Sequence, residues 1–210
     1  MDFSIILLVI NFLGFYLALS VHEFSHALAA YYLGDKTAEH AGRLTLNPLA
    51  HIDLVGTLIL PLFLILSNAG VVVGWAKPVP VNYYNLSNQR WGPAIVSLAG
   101  PLANFIFGIF CLIVLKIIYA YTSLTGSNLL INFLILLIVI NFVLMIFNLI
   151  PIPPLDGSKV LFSILPDKYN NFKVFLEQYG LLILIFFLIF FSGFLEVIYS
   201  YIYKLLNLFM

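Results

Sequence analysis

Long apolar runs separated by short polar segments dominate the chain, and the lengths of these runs predict its elements. Apolar runs over about 3–33, 93–120 and 129–150 each reach the roughly 18–20 residues that a helix needs to cross a hydrocarbon core about 30 Å thick. A further apolar region covers about 180–203. The pattern therefore predicts an all-α polytopic membrane protein with about four to five transmembrane helices.

One apolar stretch, residues 56–73, does not fit a simple crossing. It is interrupted by Pro61 and by the turn-like sequence Ser67-Asn68-Ala69-Gly70. The basic residues of segments 34–92 and 156–178 predict that the first and the third long helix both end at the cytoplasmic face. Because the helices over 93–120 and 129–150 form a hairpin, residues 34–92 then begin and end on that side. We therefore expect a re-entrant hairpin that turns near Ser67 to Gly70. Irregular backbone at that depth must be buried in protein or line a water-filled cavity.

The polar segments predict short elements at one face of the membrane. Alternation of polar and apolar residues over Arg43 to Leu46 indicates a short strand or edge hairpin. Pro78 and Pro80 enforce an extended chain in the next segment. A short amphipathic helix is expected within about 157–178, after the third long helix. The fold prediction therefore includes short extended elements beside the transmembrane helices.

The basic residues predict the orientation of the chain. Two loops, 34–92 and 156–178, contain seven of the nine lysines and arginines. Cytoplasmic loops of membrane proteins carry an excess of such residues. We therefore expect both loops, and any site built from them, to lie near the cytoplasmic face. The seven residues are Lys36, Arg43, Lys77, Arg90, Lys159, Lys168 and Lys173.

Composition narrows the class further. The 210 residues are 63% hydrophobic and 9% charged, far from the roughly one quarter of charged residues in soluble domains. The polar loops leave no room for a sizeable soluble domain, so residues 1–210 are expected to form a single integral-membrane domain. The net charge of zero gives no basic surface for nucleic acid. The single cysteine, Cys111, excludes an intramolecular disulfide and a cysteine-based zinc cluster.

The sequence LALSVHEFSHALAAYYLG places three ionisable residues inside the first apolar run. On a helix, His22 and His26 stack on one face about 6 Å apart, so both imidazoles can ligate one metal. Glu23 can reach a metal-bound water as a general base. Two alternatives are a chance match, expected roughly once in a thousand random placements, and a buried hydrogen-bond cluster. Ionisable groups in a membrane helix are costly, which favours metal ligation.

Two histidines are an incomplete site, because catalytic zinc usually has three protein ligands. The remaining candidates are His40, His51, Asp156 and Glu196. His51 is more typical of a structural hydrogen-bonding residue. Asp156 follows a proline-rich stretch that would hold it rigidly, although the segment taken alone favours a helix-capping role for this aspartate. Spacing alone therefore leaves the third ligand open.

Two motifs together give a specific resemblance. The sequences HEFSHALAAYYLGD and NLIPIPPLDG resemble those of the site-2 protease family of intramembrane zinc metalloproteases. That family combines HExxH on one membrane helix with N-x-x-P-x-x-P-L-D-G on a later one. The sequences AGPLAN, GRLTLNPLAHID and GWAKPVPVN extend the resemblance, and the last two are similar to the compact prokaryotic branch. The chain lacks the PDZ and CBS domains of other members.

The resemblance implies a set of roles for this chain. It implies an integral protein of a prokaryotic cell membrane that binds one zinc ion per chain and hydrolyses peptide bonds in or near transmembrane segments of other membrane proteins. An unwound substrate could add as a strand at Arg43–Asn47 or Lys77–Asn82. The resemblance also implies the residues of the site. Glu23 is the catalytic base, and His22, His26 and Asp156 are the zinc ligands. Asn104 and Asn148 lie near the substrate or behind the ligands.

Two other functions use the same residues. A metal transporter or metal-binding membrane protein would need a polar pathway through the bilayer, whereas the charges here cluster at one depth. A catalytically silent scaffold that binds membrane helices would have no use for Glu23 beside the metal. The sequence leaves the substrate, the trigger and the oligomeric state open.

Overall fold

The computed structural model describes residues 3–67, 76–124, 128–191 and 193–209. Helices make up most of this part of the chain, joined by short irregular segments. In chain order they are α1 (Phe3–Tyr32), α2 (Thr37–His40), α3 (Leu60–Leu66), α4 (Gly92–Tyr121), α5 (Leu129–Asn148), α6 (Gly157–Ile164), α7 (Asn170–Phe190) and α8 (Gly193–Phe209).

Among the described residues, three helical segments are long and apolar enough to cross a membrane: Gly92–Tyr121, Leu129–Asn148 and Asp167–Phe190. At 1.5 Å per residue, the 30 residues of α1 extend about 45 Å, which also exceeds the hydrocarbon core. These helices confirm the prediction of an all-α polytopic membrane protein.

The segment around α3 is shorter than a crossing. A π-helical turn, Leu54–Ile59, leads directly into α3, and the two together extend about 20 Å, well short of the hydrocarbon core. The expected turn of the re-entrant hairpin, at residues 68–70, lies outside the described residues.

The strand or edge hairpin expected at Arg43 to Leu46 is not formed, and no strand occurs among the described residues. The reason is local competition for the backbone groups. The amide of Arg43 donates to the carbonyl of Ala38, and the amide of Asn47 donates to the Thr45 hydroxyl. The carbonyl of Thr45 faces His51 Nε2 at 2.9 Å. These groups are therefore not available for a strand ladder.

The short helix expected within 157–178 is instead two helices. α6 ends at Ile164, and α7 begins at Asn170 and continues into the apolar region. The break falls at Pro166, which disfavours a helical conformation for the preceding Leu165. Leu165 is accordingly extended, with φ −67° and ψ 128°. The last apolar region, expected as 180–203, is likewise divided between α7 and α8.

Helix α4 is the centre of the fold and contacts α1, α5, α6 and α8. Its C-terminal half packs against α5 and α8 in an apolar core with members such as Leu115, Ile138 and Leu206, which are at most 1% exposed. Helices in a bilayer associate through close packing rather than through exclusion from water. The N-terminal half of α4 faces α1 and carries the polar residues described below.

The loop after α1 is fixed by one buried carboxylate. Gly34, with φ +104°, takes the left-handed conformation that ends the helix. Asp35, which is fully buried, accepts hydrogen bonds from the amides of Thr37 (3.1 Å) and Asn82 (2.7 Å) and from Asn85 Nδ2 (2.9 Å). Burial raises the pKa of Asp35, but these hydrogen bonds outweigh it and lower the pKa. The ionised carboxylate therefore holds the loop that contains Asn82 against the end of α1.

Candidate metal centre

Three side chains from distant parts of the sequence meet at the end of α1. His22 Nε2 lies 3.0 Å from His26 Nε2 and 3.1 Å from Asp156 Oδ2, and His26 Nε2 lies 3.3 Å from the same oxygen. The helical repeat places the two histidines on one face of α1. The proline-rich segment after α5 brings Asp156 to them. The three could hold one metal ion.

Buried asparagines determine which nitrogen of His22 carries the proton. Asn104 Nδ2 donates to the carbonyl of Ala18 at 3.1 Å and to Asn141 Oδ1 at 2.8 Å. Asn141 Nδ2 in turn donates to the carbonyl of Leu137. Asn104 Oδ1 is therefore an acceptor, and it lies 2.6 Å from His22 Nδ1. His22 Nδ1 donates this hydrogen bond, which leaves the Nε2 lone pair directed at the other two side chains.

His26 is held in the same tautomer by backbone. Its Nδ1 lies 2.7 Å from the carbonyl oxygen of Val96 in α4, which can only accept. Asp156 Oδ2 is buried and makes no hydrogen bond with the described residues. Lone pairs of three atoms therefore converge. Their separations of 3.0–3.3 Å are close to the edge of about 3.3 Å expected for a tetrahedron with zinc bonds of 2.0–2.1 Å.

Asp156 does not have the capping role that its position at the start of α6 suggests. It is the N-cap residue of α6, yet its side chain makes no capping hydrogen bond. Burial raises the pKa of the Asp156 carboxyl, but contacts with His22 and His26 outweigh it and lower the pKa to about 2. An ionised carboxylate aimed at two imidazoles is a typical metal ligand.

Gly100 allows α4 to approach the two histidines. A Cβ at this position would lie 2.5 Å from His26 Nε2 and 2.7 Å from His22 Cε1. No side chain larger than hydrogen fits there without displacing the imidazoles. The close approach of α4 also brings Val96 and Asn104 within hydrogen-bonding distance of the two rings.

Glu23 is oriented by a loop that covers the site. Its Oε2 accepts a hydrogen bond of 2.8 Å from the amide of Val79. The amide of Lys77 also points inward, to the carbonyl of His51 at 3.0 Å. Pro78 and Pro80, which alternate with these residues, have no N–H group. A peptide strand added along this outer edge would receive no hydrogen bond from positions 78 and 80, which speaks against strand addition there.

A cavity of about 310 Å³ joins these groups. Glu23, both histidines and Asp156 line it. Asn148 also lines it, with its Nδ2 bonded to the carbonyl of Leu144. Burial raises the pKa of Tyr83 in the same wall, as does the charge of Asp156. The remaining lining residues are Pro78, Val79, Val81, Val96, Ser97 and Pro154.

The structure separates the sequence-predicted residues into three groups. Glu23 and Asn148 share the cavity with the three potential ligands. Asn104 is fully buried behind His22, where it orients the imidazole and is not a lining residue of the cavity. His51 is bonded elsewhere, and His40 is exposed.

Three contributors were missed by sequence reasoning. A polar residue in the apolar run of α5 was a usable signal for Asn141, because such residues in membrane helices are usually functional. Gly100 lies in the AGPLAN motif, but only the packing of α4 on α1 shows what it contacts. Val79 acts through its backbone amide, which leaves no trace in the sequence.

Comparisons with known proteins show the family to which the sequence is similar. The sequence model of peptidase family M50 matches residues 10–123 and 115–191. The chain is 36% identical over 189 residues to "Putative zinc metalloprotease YwhC" of Bacillus subtilis, covering 87% of this chain and 78% of the relative. It is 30% identical over 178 residues to "Putative zinc metalloprotease Rip2" of Mycolicibacterium smegmatis, covering 84% and 65%. No solved structure matches the chain.

Proposed function

Because the chain belongs to peptidase family M50, we propose that it is an intramembrane zinc metalloprotease that hydrolyses peptide bonds in or near transmembrane segments of other membrane proteins. The proposed ligands are His22, His26 and Asp156, which hold one zinc ion per chain. The proposed catalytic base is Glu23. The observation that carries this proposal is the convergence of three lone-pair atoms beside Glu23 in one cavity.

The donor set favours zinc. Two imidazole nitrogens and one carboxylate oxygen are a ligand combination that zinc accepts in catalytic sites, where it leaves a fourth position open. When bound, zinc supplies a Lewis acid that polarises a carbonyl and lowers the pKa of a bound water towards about 7. The chain's own residues perform the remaining steps.

Glu23 transfers the proton. Its carboxylate lies next to the first histidine and faces the cavity, where it can accept a proton from the attacking water. It then delivers this proton to the nitrogen of the leaving amine as the peptide bond breaks. The Val79 amide, 2.8 Å from Oε2, holds one carboxylate oxygen in place and leaves the other for the proton.

The substrate has to present an unwound segment. A transmembrane helix buries its amides in internal hydrogen bonds, so the scissile bond becomes accessible only after local unwinding. Asn148 lines the cavity and can bind a substrate carbonyl or amide freed in this way. The excess of lysine and arginine in loops 34–92 and 156–178 supports a position of this cavity near the cytoplasmic face of the cell membrane.

The proposal is tested by reconstituting the purified chain in liposomes with a single-span reporter protein. Glu23→Gln is expected to lower cleavage by about 10²–10⁴-fold, the usual contribution of a general base. Zinc content should remain near one ion per chain, because Glu23 is not a ligand. Glu39→Gln, an exposed position on α2, is the matched control and should cleave like the native chain. Undiminished cleavage by Glu23→Gln would refute the mechanism.

A further inference from the structure

A second and larger cavity, of about 590 Å³, lies beside the metal centre. It opens between the segment before α4 and the segment that joins α6 to α7. Tyr83 lines both this cavity and the catalytic one, so its side chain separates the two. The other lining residues are Gln89, Arg90, Pro93, Lys159, Phe162, Ser163, Leu165, Pro166, Asp167 and Lys173.

The lining is cationic. Arg90, Lys159 and Lys173 face a single lining carboxylate, Asp167. Lys159 is paired with Glu177 at 3.1 Å. Among the ion pairs of the described residues, none involves Arg90 or Lys173. Arg90, which lies over the Trp91 ring at 5.7 Å, and Lys173 therefore have no anionic partner among the described residues.

Exposed apolar residues flank the lining segments in sequence. Trp91, Ile164 and Phe172 each adjoin a lining residue and are 44–57% exposed. Trp and Tyr are enriched where a membrane protein meets the headgroup region. The cavity also lies where two membrane-spanning segments begin, Gly92–Tyr121 and Asp167–Phe190. Its mouth is therefore at the depth of the lipid headgroups.

We propose that this cavity binds the anionic headgroup of a phospholipid, with Arg90 and Lys173 contacting the phosphate. Basic pockets between transmembrane helices on the cytoplasmic side suit this ligand, and each nearby Lys or Arg contributes measurably to attraction for an anionic leaflet. The exposed apolar residues beside the cavity can contact the acyl chains of a lipid. A soluble anion has no acyl chains and would leave these residues without a contact. The bound lipid would then sit one side chain, Tyr83, away from the catalytic cavity.

The test measures lipid retention by the full chain. Protein reconstituted in mixed phosphatidylcholine and phosphatidylglycerol nanodiscs is released into detergent, and native mass spectrometry counts the retained lipids. We expect one phosphatidylglycerol per chain and no retained phosphatidylcholine. The double variant Arg90→Gln/Lys173→Gln should retain phosphatidylglycerol about thirtyfold less tightly. The control Lys36→Gln/Lys77→Gln removes the same charge at two exposed positions outside the cavity and should behave like the native chain.

Three further results separate this proposal from its rivals. Glu23→Gln should retain the lipid normally, because binding does not require proteolysis. Equal losses in the two double variants would show general surface attraction and overturn the site. Displacement of the lipid by millimolar inorganic phosphate, or by a decaglutamate peptide at micromolar concentration, would assign the cavity to a soluble anion or an acidic peptide and overturn the proposal.

Discussion

The described residues contain two buried clusters with opposite uses, one built around two histidines and one around a single histidine. In the metal centre, His22 and His26 each use Nδ1 for a hydrogen bond and leave Nε2 pointing at Asp156. In the loop after α2, His51 is 2% exposed, with Nε2 at 2.9 Å from the Thr45 carbonyl and Nδ1 facing Arg43 at 3.5 Å. Both clusters are buried, but only the first leaves ring nitrogens for a ligand.

The difference shows what distinguishes a metal site from a structural histidine. Burial of the imidazole is shared by both clusters and does not distinguish them. What differs is the partner of the second ring nitrogen. A carbonyl or an arginine beside it satisfies the ring and fixes a loop, whereas a carboxylate and a second lone pair around one point are stable together only with a cation between them.

The largest loss of zinc affinity is expected from a substitution in the half of α4 that packs against the two histidines. Gly100→Ala would place a Cβ 2.5 Å from His26 Nε2, so the imidazoles must move apart and zinc affinity should fall at least about a hundredfold. Gly108→Ala, on the same helix, makes only ordinary contacts of 3.5 Å and longer. Zinc titration with a competing chelator compares the two. Equal affinity in both variants would contradict the packing of α4 against the histidines.

A smaller effect is expected from the asparagines behind His22. Asn104→Leu removes the acceptor that fixes the tautomer, and the loss of such a partner typically costs 10–100-fold in metal affinity or activity. Asn141→Leu removes only the partner of Asn104, so we expect about a tenfold loss. Asn132→Leu on the exposed face of α5 is the control. The pH profile of the cleavage rate should shift in the first two variants. A cleavage rate that falls by the same factor at every pH would indicate misfolding instead.

The smallest effect on zinc is expected in the other cluster. His51→Leu leaves the Thr45 carbonyl without its donor, which costs about 1–3 kcal/mol, equivalent to a fall of several degrees in Tm. Zinc affinity should not change. Differential scanning fluorimetry in detergent measures the first quantity, and chelator competition measures the second. If zinc affinity fell as much in this variant as in Gly100→Ala, the claim that His51 is structural and separate from the metal centre would be contradicted.

Much of this architecture could be predicted from the sequence. The lengths of the apolar runs predicted the long helices, because a bilayer imposes a minimum length on each helix that crosses it. HExxH spacing predicted His22, Glu23 and His26 as a candidate site, since the helical repeat brings the two histidines to one face. The proposed third ligand could not be derived in this way, because an aspartate after prolines at a helix start is more typical of a cap. Only the resemblance to a known family pointed to Asp156.

Other features lay beyond the sequence for physical reasons. The segment at Arg43 alternates like a strand, but side-chain hydrogen bonds and His51 occupy its backbone groups. The contacts of Gly100 and the Val79 amide depend on how helices and loops pack over long sequence separations. Local pattern carries no information on such contacts.

The measurement that tests the central claim most directly is the zinc content of Asp156→Ala. The purified native chain and this variant are dialysed against the same zinc buffer and analysed by inductively coupled plasma mass spectrometry, with His51→Leu as the control. The metal centre described above predicts one zinc per chain in the native protein and in His51→Leu, and less than about a tenth of that in Asp156→Ala. Full occupancy in Asp156→Ala would contradict a site completed by this carboxylate.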